Sequence, residues 1–267
     1  MEIFIGAIIF MFGSVIGSFL NVVILRLPKE KKLTGRSACE NCGAALSAPE
    51  LVPLFSYIGL RGKCKNCGKD ISPRYFIVEF ITGFLFLAGW LFIQPQDLTG
   101  LMLLLKWFVA LSVLLVVFVT DLEHFLIFDN VIFTGIVLAS IINLVLDITG
   151  TGSAFSIRGE FLGGLAAAVA AALPFFIIWY ISKGSWMGFG DVKLALFLGV
   201  VLGIPLVGVG IFLAVILGGA VSIMLLLSGR KKLKSPVPFG VFLAFASAFT
   251  LFYGGRFLNW YLAILGF

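Results

Sequence analysis

Long apolar runs constrain this chain more than any other feature. The segment 3–25 holds 23 residues without a charge, and roughly 20 apolar residues suffice for a helix to cross a bilayer. Apolar residues make up 61% of the chain and charged residues only 12%, so too few polar side chains remain to cover a soluble surface. The chain is therefore predicted to be an integral membrane protein, and not a soluble, disordered or collagen-like one.

Further apolar runs predict an all-α fold with about eight transmembrane helices. The other candidate spans are 76–93, 101–120, 130–148, 161–181 and 239–253. The run 194–227 is too long for one ordinary helix, and Gly203-Ile204-Pro205 predicts a break into two short ones. The tail 254–267 is expected to form either an interfacial helix or a partial re-entry, and the pattern does not choose between them.

The positions of Lys and Arg predict the orientation of these spans. Loop 26–75 carries ten of the 19 basic residues, and an orientation with the amino terminus outside places 16 of the 19 in loops 26–75, 121–129, 182–193 and 228–240. Basic loops stay on the cytoplasmic side, where they face anionic lipids. We therefore expect these loops inside the cell. Nucleic-acid binding is the weaker interpretation, because no aromatic residues alternate with the basic ones.

All four cysteines lie in loop 26–75, in two C-x-x-C-G motifs. Cys39 and Cys42 form the first pair and Cys64 and Cys67 the second, with a spacer of 21 residues. Four thiolates arranged in this way are typical of a structural Zn²⁺ site, although the spacer is slightly long. An iron–sulfur site is the main alternative, and disulfides are disfavoured on the reducing side of the membrane. Four thiolates leave no position for water, so the metal is predicted to fold the loop and not to catalyse.

Two carboxylates are predicted at the cytoplasmic ends of spans. Asp121 follows the third apolar run, and Asp191 ends the sequence Gly188-Phe189-Gly190-Asp191. Charges at such positions are costly to desolvate and are therefore candidates for function. If the two groups lie close together, one can accept a proton from water while the other, protonated, polarises a peptide carbonyl. Gly188 and Gly190 would let the backbone approach an extended peptide closely.

Simpler explanations remain open for both aspartates. Asp191 can cap the helix that follows it, and Asp121 can be a solvated loop residue. Glu123 and Asp129 are expected to be solvated, with a supporting role open to either. His124 has no His or Cys near it in the sequence, so an interfacial position is favoured over a metal site. The absence of G-x-S-x-G and H-E-x-x-H motifs argues against serine and zinc proteolysis.

A series of short motifs runs along the chain from about residue 13 to residue 244. In chain order they are GSFLNV from Gly17, RLP from Arg26, the two C-x-x-C pairs, LRG from Leu60, DLEH from Asp121, GFGDVKL from Gly188 and PFGVFLA from Pro238. Their joint order resembles that of the bacterial type IV prepilin peptidases, and it is far more specific than any single motif.

This resemblance implies an inner-membrane aspartic peptidase of the G-x-G-D type, with Asp121 and Asp191 as its catalytic pair. Its substrates would be type IV prepilins or the related pseudopilins of type II secretion, cut on the cytoplasmic side after the glycine that ends a short basic leader. Family members with a tetracysteine loop commonly also methylate the new amino terminus, using S-adenosylmethionine. Two activities are therefore expected of this chain.

The resemblance also suggests how the chain is divided. The predicted parts are a first transmembrane helix (1–25), a zinc loop associated with methyl transfer (26–75) and a membrane aspartic peptidase domain (76–267). The methyl-donor site is harder to predict, because the chain has no Gly-rich nucleotide fingerprint. Arg61, Gly62 and Glu79 are predicted to contact the methyl donor because they lie beside the zinc loop.

Two positions depart from the family pattern. Glu40 stands where Pro often follows the first Cys, and Phe128 stands where Pro often precedes the acid at Asp129. The absence of these prolines is expected to alter the stiffness of the loops and not the chemistry.

Two other classes of protein remain open at this stage. A non-enzymatic membrane scaffold, whose zinc loop docks a partner, explains the basic loop but leaves Asp121 and Asp191 without a task. A transporter would place charges near the middle of the membrane, between repeats. Only Glu79 and Lys106 approach such a position, and no repeat is visible.

Overall fold

The computed structural model describes the residues 2–150, 156, 159–229 and 237–266. Within these residues the regular elements are helices, and isolated β-bridges occur only in the cysteine loop. Seven of the helices are long and apolar enough to cross a membrane. The predicted all-α, multi-pass membrane fold is therefore confirmed. The predicted inside loop 228–240 lies partly outside the description, which omits 230–236.

The described residues form nine α-helices. They are α1 (Glu2–Arg26), α2 (Phe55–Gly59), α3 (Arg74–Ile93), α4 (Leu98–His124), α5 (Asp129–Gly150), α6 (Glu160–Ser182), α7 (Phe189–Leu202), α8 (Leu206–Leu227) and α9 (Phe239–Leu265). The helices long enough to span are all of these except α2 and α7. Each predicted span corresponds to one helix, since hydrogen bonds within a helix satisfy the backbone where no water is available.

The predicted break in the run 194–227 falls between α7 and α8. Gly203 follows the last residue of α7 with a φ of 66°, a conformation that glycine adopts without strain. The two pieces are unequal, because α8 has 22 residues and α7 only 14. At 1.5 Å per residue α7 is about 21 Å long, shorter than the roughly 30 Å of a bilayer core.

The tail of the chain adopts neither of the two predicted arrangements. Helix α9 continues without interruption to Leu265. Gly254 and Gly255 do not end it, because a glycine inside a helix costs only about 1 kcal/mol relative to alanine. Gly254 is also buried near the side chain of Leu206. The tail therefore extends the last span as one helix.

The chain forms two compact units, Met1–Gln94 and Pro95–Phe267. In the first unit α1 packs closely against α3, and the cysteine loop connects them along the chain. A Cβ atom on Gly13 would lie 2.8 Å from the Cα atom of Gly83. Small residues at such positions let two membrane helices approach closely.

In the second unit α7 is surrounded by other helices. It packs against α5, α6 and α9, and the side chains of Leu194 and Phe197 are fully buried. A Cβ atom on Gly199 would lie 2.3 Å from the backbone of Ala168 in α6, so these helices touch backbone to backbone. The start of α7, which carries Asp191, is therefore held by neighbours on several sides.

Candidate active site and metal centre

Asp121 lies in the last turn of α4 and is only 6% exposed. Its Oδ2 atom accepts a hydrogen bond of 3.0 Å from the backbone N–H of Val241 in the first turn of α9. The first N–H groups of a helix have no partner within it, and a helix amino terminus favours negative charge. This burial does not agree with the alternative that Asp121 is a solvated loop residue.

Asp191 is the third residue of α7 and is half-buried. The residue that precedes the helix is Gly188, and no side chain caps it. The N–H of Asp191 donates to the carbonyl oxygen of Gly188 at 3.2 Å. The capping position that was open to Asp191 is thus taken by a glycine. The carboxylate instead lies inside the first turn, where the helix dipole favours it.

The side chain of Ile127 connects the two segments that carry these aspartates. A Cβ atom on Gly190 would lie 3.0 Å from the Cβ atom of Ile127, and one on Gly240 would lie 3.0 Å from its Cδ1 atom. The same Cβ atom on Gly240 would lie 2.8 Å from Oδ2 of Asp121, and Gly190 directly precedes Asp191. The two carboxylates are close enough to interact electrostatically. The structure therefore brings the two predicted aspartates to one place.

Three contacts hold the first turn of α7. Lys193 forms an ion pair with Asp129, the first residue of α5. The same ammonium group lies 5.3 Å from the ring centroid of Phe189, and that ring packs against Trp179 of α6 at 4.8 Å. Asp129 is 55% exposed, as expected of a solvated residue, yet its ion pair helps to place the turn that carries Asp191.

The sequence did not single out three residues of this site, namely Ile127, Gly240 and Val241. The motif PFGVFLA contained a signal for two of them, because Gly240 and Val241 stand inside it. Ile127 carries no such signal, since an isoleucine among other apolar residues looks like any lipid-facing or core side chain.

The four cysteines gather into one cluster in the first unit, as predicted. Their Sγ atoms all lie within 4.8 Å of one another, and those of Cys39 and Cys67 are 4.0 Å apart. Sulfur ligands at 2.3 Å from a tetrahedral metal would be separated by roughly 3.8 Å. All four are free thiols. The cluster could therefore hold a metal ion with little rearrangement.

Hydrogen bonds from neighbouring residues and contacts among the thiols shift the pKa values of these cysteines. The N–H of Ala44 and the side chain of Asn66 lower the pKa of the Cys42 thiol to about 6. The N–H of Lys69 lowers the pKa of Cys67, but desolvation and the neighbouring thiols outweigh it and raise that pKa to about 11. Deprotonation of all four thiols is therefore unfavourable without a cation. Soft thiolate donors of this kind favour zinc or iron.

A cavity of about 670 Å³ lies beside the cysteine cluster in the first unit. Of the predicted methyl-donor contacts, Glu79 lines this cavity, whereas Arg61 and Gly62 are not among its described lining residues. Glu79 is 8% exposed and accepts a hydrogen bond of 2.9 Å from the N–H of Leu54. Gly62 is buried against the ring of Tyr57, where a Cβ atom would lie 3.0 Å from the hydroxyl oxygen.

Comparison with known proteins gives two family matches. The bacterial peptidase A24 N-terminal domain matches residues 11–93, and the type IV leader peptidase family matches residues 108–223. The prepilin leader peptidase/N-methyltransferase of Aeromonas hydrophila is 30% identical over 96% of this chain and 93% of its own length. That of Bacillus subtilis (strain 168) is 31% identical over 96% and 97%. No solved structure shows a significant match.

These matches agree with the motifs and with the fold. The Burkholderia pseudomallei (strain 1026b) relative, also a prepilin leader peptidase/N-methyltransferase, is 32% identical over 92% of this chain and 84% of its own length. The resemblance that rested on motif order is confirmed, and with it the prediction that the chain is an enzyme. Seven helices capable of crossing a membrane make it a multi-pass membrane protein. The chain belongs to the type IV leader peptidase family.

Proposed function

We propose that this chain removes the basic leader from type IV prepilins or type II secretion pseudopilins at the cytoplasmic face of a bacterial inner membrane. We further propose that it methylates the new amino terminus with S-adenosylmethionine. The names of the relatives support both activities. The observation that carries the peptidase is the meeting of Asp121 and Asp191 around Ile127.

Asp121 and Asp191 form the proposed catalytic pair. Two neighbouring carboxylates cannot both ionise easily, so they share one proton. The N–H of Val241 stabilises negative charge on Asp121, which makes Asp121 the carboxylate that accepts a proton from the attacking water. Asp191 then donates its proton to the scissile carbonyl oxygen. Both groups need each other, so loss of either should abolish cleavage.

The two glycines of the G-x-G-D motif have different proposed tasks. Gly190 faces Ile127, so its lack of a side chain permits the close packing of α7 against that residue. At Gly188 the nearest atom to a Cβ would be 3.9 Å away, and its backbone is extended and exposed. We assign contact with the extended backbone of the substrate to Gly188, because no neighbouring side chain blocks its approach.

The cysteine cluster is proposed to be a structural Zn²⁺ site. Cys39, Cys42, Cys64 and Cys67 would be its ligands, and they supply a closed set of four sulfurs. A bound Zn²⁺ ion would cross-link the two ends of the loop, which has little apolar core of its own. Each C-x-x-C turn is held by a backbone hydrogen bond. The N–H of Gly43 donates to the carbonyl oxygen of Cys39, and the N–H of Gly68 donates to that of Cys64.

The cavity beside the cluster is the proposed site of the methyl donor, S-adenosylmethionine, which supplies the methyl group. Five basic side chains line it: Arg26, Lys29, Lys31, Lys32 and Arg36. Cations of this kind suit a carboxylate group. The guanidinium of Arg26 also donates hydrogen bonds to five carbonyl oxygens of the segment 32–36, and so holds one wall in place. Glu79 remains a proposed contact, whereas Arg61 and Gly62 would act by shaping the loop.

One experiment tests both activities. Wild-type protein, purified in detergent, is incubated with a prepilin and S-adenosylmethionine. The mass of the product is then measured by mass spectrometry. We expect loss of the leader and a gain of one methyl group. Asp121→Asn and Asp191→Asn, with unchanged helix content and metal content, should each stop cleavage. Failure of the wild type with several prepilins and pseudopilins would contradict the proposal and favour a non-enzymatic scaffold.

A further inference from the structure

One residue that lines the cavity of the first unit has a buried hydrogen-bond acceptor without a partner in the described part of the chain. The side chain of Asn21 lines this cavity and is 2% exposed. Its Nδ2 atom donates to the carbonyl oxygen of Tyr75 at 3.0 Å. Within the described part of the chain its Oδ1 atom has no hydrogen-bond partner. Because a buried acceptor without a donor is unfavourable, this oxygen is suited to receive a donor from a ligand.

The carboxylate of Glu79 is a second acceptor in the same cavity. Its Oε2 atom accepts from the N–H of Leu54 at 2.9 Å, and the side chain of Ser18 lines the same cavity. Among the described residues Lys29, Lys106, His124 and Lys193 form ion pairs with other acids, and no ion pair includes Glu79. A buried carboxylate without a cation favours a positively charged ligand.

Helix packing places these acceptors side by side. The carbonyl of Tyr75, which receives the amide of Asn21, stands four residues and thus one helical turn before Glu79 on α3. On α1, Ser18 and Asn21 are three residues apart and share a face. Gly17 allows that face to approach, since a Cβ atom there would lie 2.8 Å from the Cα atom of Glu79. We call Ser18, Asn21 and Glu79 the acceptor floor of the cavity.

We propose that the acceptor floor binds a primary amine, the amino group that becomes methylated, an inference that rests on the proposed methyltransferase activity. An ammonium group offers three donors and no acceptor, which matches Asn21 Oδ1 and the Glu79 carboxylate. An anionic group would be repelled by Glu79 and attracted instead to the five basic side chains that line the cavity. The ammonium group transfers one proton from nitrogen to an oxygen of the Glu79 carboxylate, and the electron pair of the broken N–H bond stays on nitrogen as the lone pair that it needs as a nucleophile.

The depth of the floor suits a membrane-embedded substrate. Asn21 lies five residues before the end of α1, and Glu79 five residues after the start of α3. At 1.5 Å per residue this is about 8 Å inside the helix ends. A peptide whose apolar stem lies in the bilayer can present its amino terminus there. The methyl donor also carries a primary amine, so the test must separate these two sources.

Binding measurements test the proposal without relying on catalysis. A peptide with the mature pilin sequence is titrated with a free and with an acetylated amino terminus, and S-adenosylhomocysteine is titrated separately. For wild-type protein we expect the free amine to bind at least about tenfold more tightly than the acetylated peptide. Glu79→Gln, whose amide oxygen can still accept from Leu54, and Asn21→Leu should reduce this preference to less than about twofold. Glu30→Gln, an exposed matched substitution in the same unit, should retain it.

Each outcome has one meaning. Loss of the amine preference in both variants, with unchanged binding of S-adenosylhomocysteine in Asn21→Leu, supports the floor as the site of the peptide amine. Weaker binding of S-adenosylhomocysteine with an unchanged amine preference overturns the proposal and assigns the floor to the methyl donor. Unchanged binding of both ligands in both variants overturns the proposal. If the wild type cleaves prepilin but does not methylate it, the proposed methyltransferase fails instead. Leader cleavage and helix content that match wild type show that the variants fold.

Discussion

The carboxylate of Asp121 accepts a hydrogen bond of 3.0 Å from the backbone N–H of Val241, which follows it by 120 residues. This bond joins the end of α4 to the start of α9. It places the amino-terminal end of one helix against the acid that ends another, an arrangement that stabilises negative charge. The first turn of α9 is therefore part of the candidate active site.

The first prediction concerns the close contact at Gly240. Gly240→Ala places a Cβ atom 2.8 Å from Oδ2 of Asp121 and 3.0 Å from Ile127, so the carboxylate must move. Misplacement of a catalytic group by about 1 Å can cost on the order of 100-fold in rate. We expect a loss of that size in kcat for leader cleavage. Gly255→Ala on the same helix, where a Cβ atom meets nothing within 4 Å, is the control and should cleave normally.

The second prediction concerns the ion pair between Lys193 and Asp129. Lys193→Met removes this pair and should loosen the first turn of α7, which carries Asp191. The Asp129 side chain is 55% exposed and that of Lys193 15%. Ion pairs that solvent reaches contribute about 0.2–1 kcal/mol, so kcat should fall by less than about tenfold. Asp129→Asn should cost a similar factor, and the double variant no more than either one alone. Additive losses in this double-mutant cycle would show that the pair does not act as a unit.

The third prediction concerns the metal. Purified protein should contain zinc in about equimolar amount, measured by elemental analysis. Cys64→Ser, which removes a buried ligand, should abolish that content and lower the thermal stability of the first unit, since metal binding contributes to folding. Iron in place of zinc would support the iron–sulfur alternative. Normal zinc content in the variant would contradict the proposed ligand set.

The fourth prediction concerns the packing of α7 against α6. Gly199→Ala places a Cβ atom 2.3 Å from the backbone of Ala168, where no flexible side chain can move aside. Overpacking of this kind costs typically 1–3 kcal/mol, and we expect a lower unfolding temperature in detergent. Gly219→Ala in α8, with nothing within 4 Å of the new atom, should not be destabilised. Equal unfolding temperatures for both variants would show that α6 and α7 separate easily.

The pattern of residues was sufficient to predict the membrane spans and the cysteine cluster. The boundaries of α1 differ by one residue at each end from the predicted run 3–25. The two C-x-x-C pairs meet as their spacing indicated. Both are local properties, because a helix in a bilayer must satisfy its own backbone and a C-x-x-C turn closes within a few residues. The tail after residue 253 was not predictable in this way, since its continuation as a helix includes packing of Gly254 against α8.

The membrane helices, the clustered thiols and the candidates Asp121 and Asp191 could all be predicted from the residue pattern. The groups that surround those candidates became visible only in the folded chain. It brought Ile127 between Gly190 and Gly240, and it left the buried Oδ1 atom of Asn21, a residue that lines a cavity, without a hydrogen-bond partner among the described residues. The physical reason is that apolar length acts within one helix, whereas these contacts depend on how side chains from separate helices pack together.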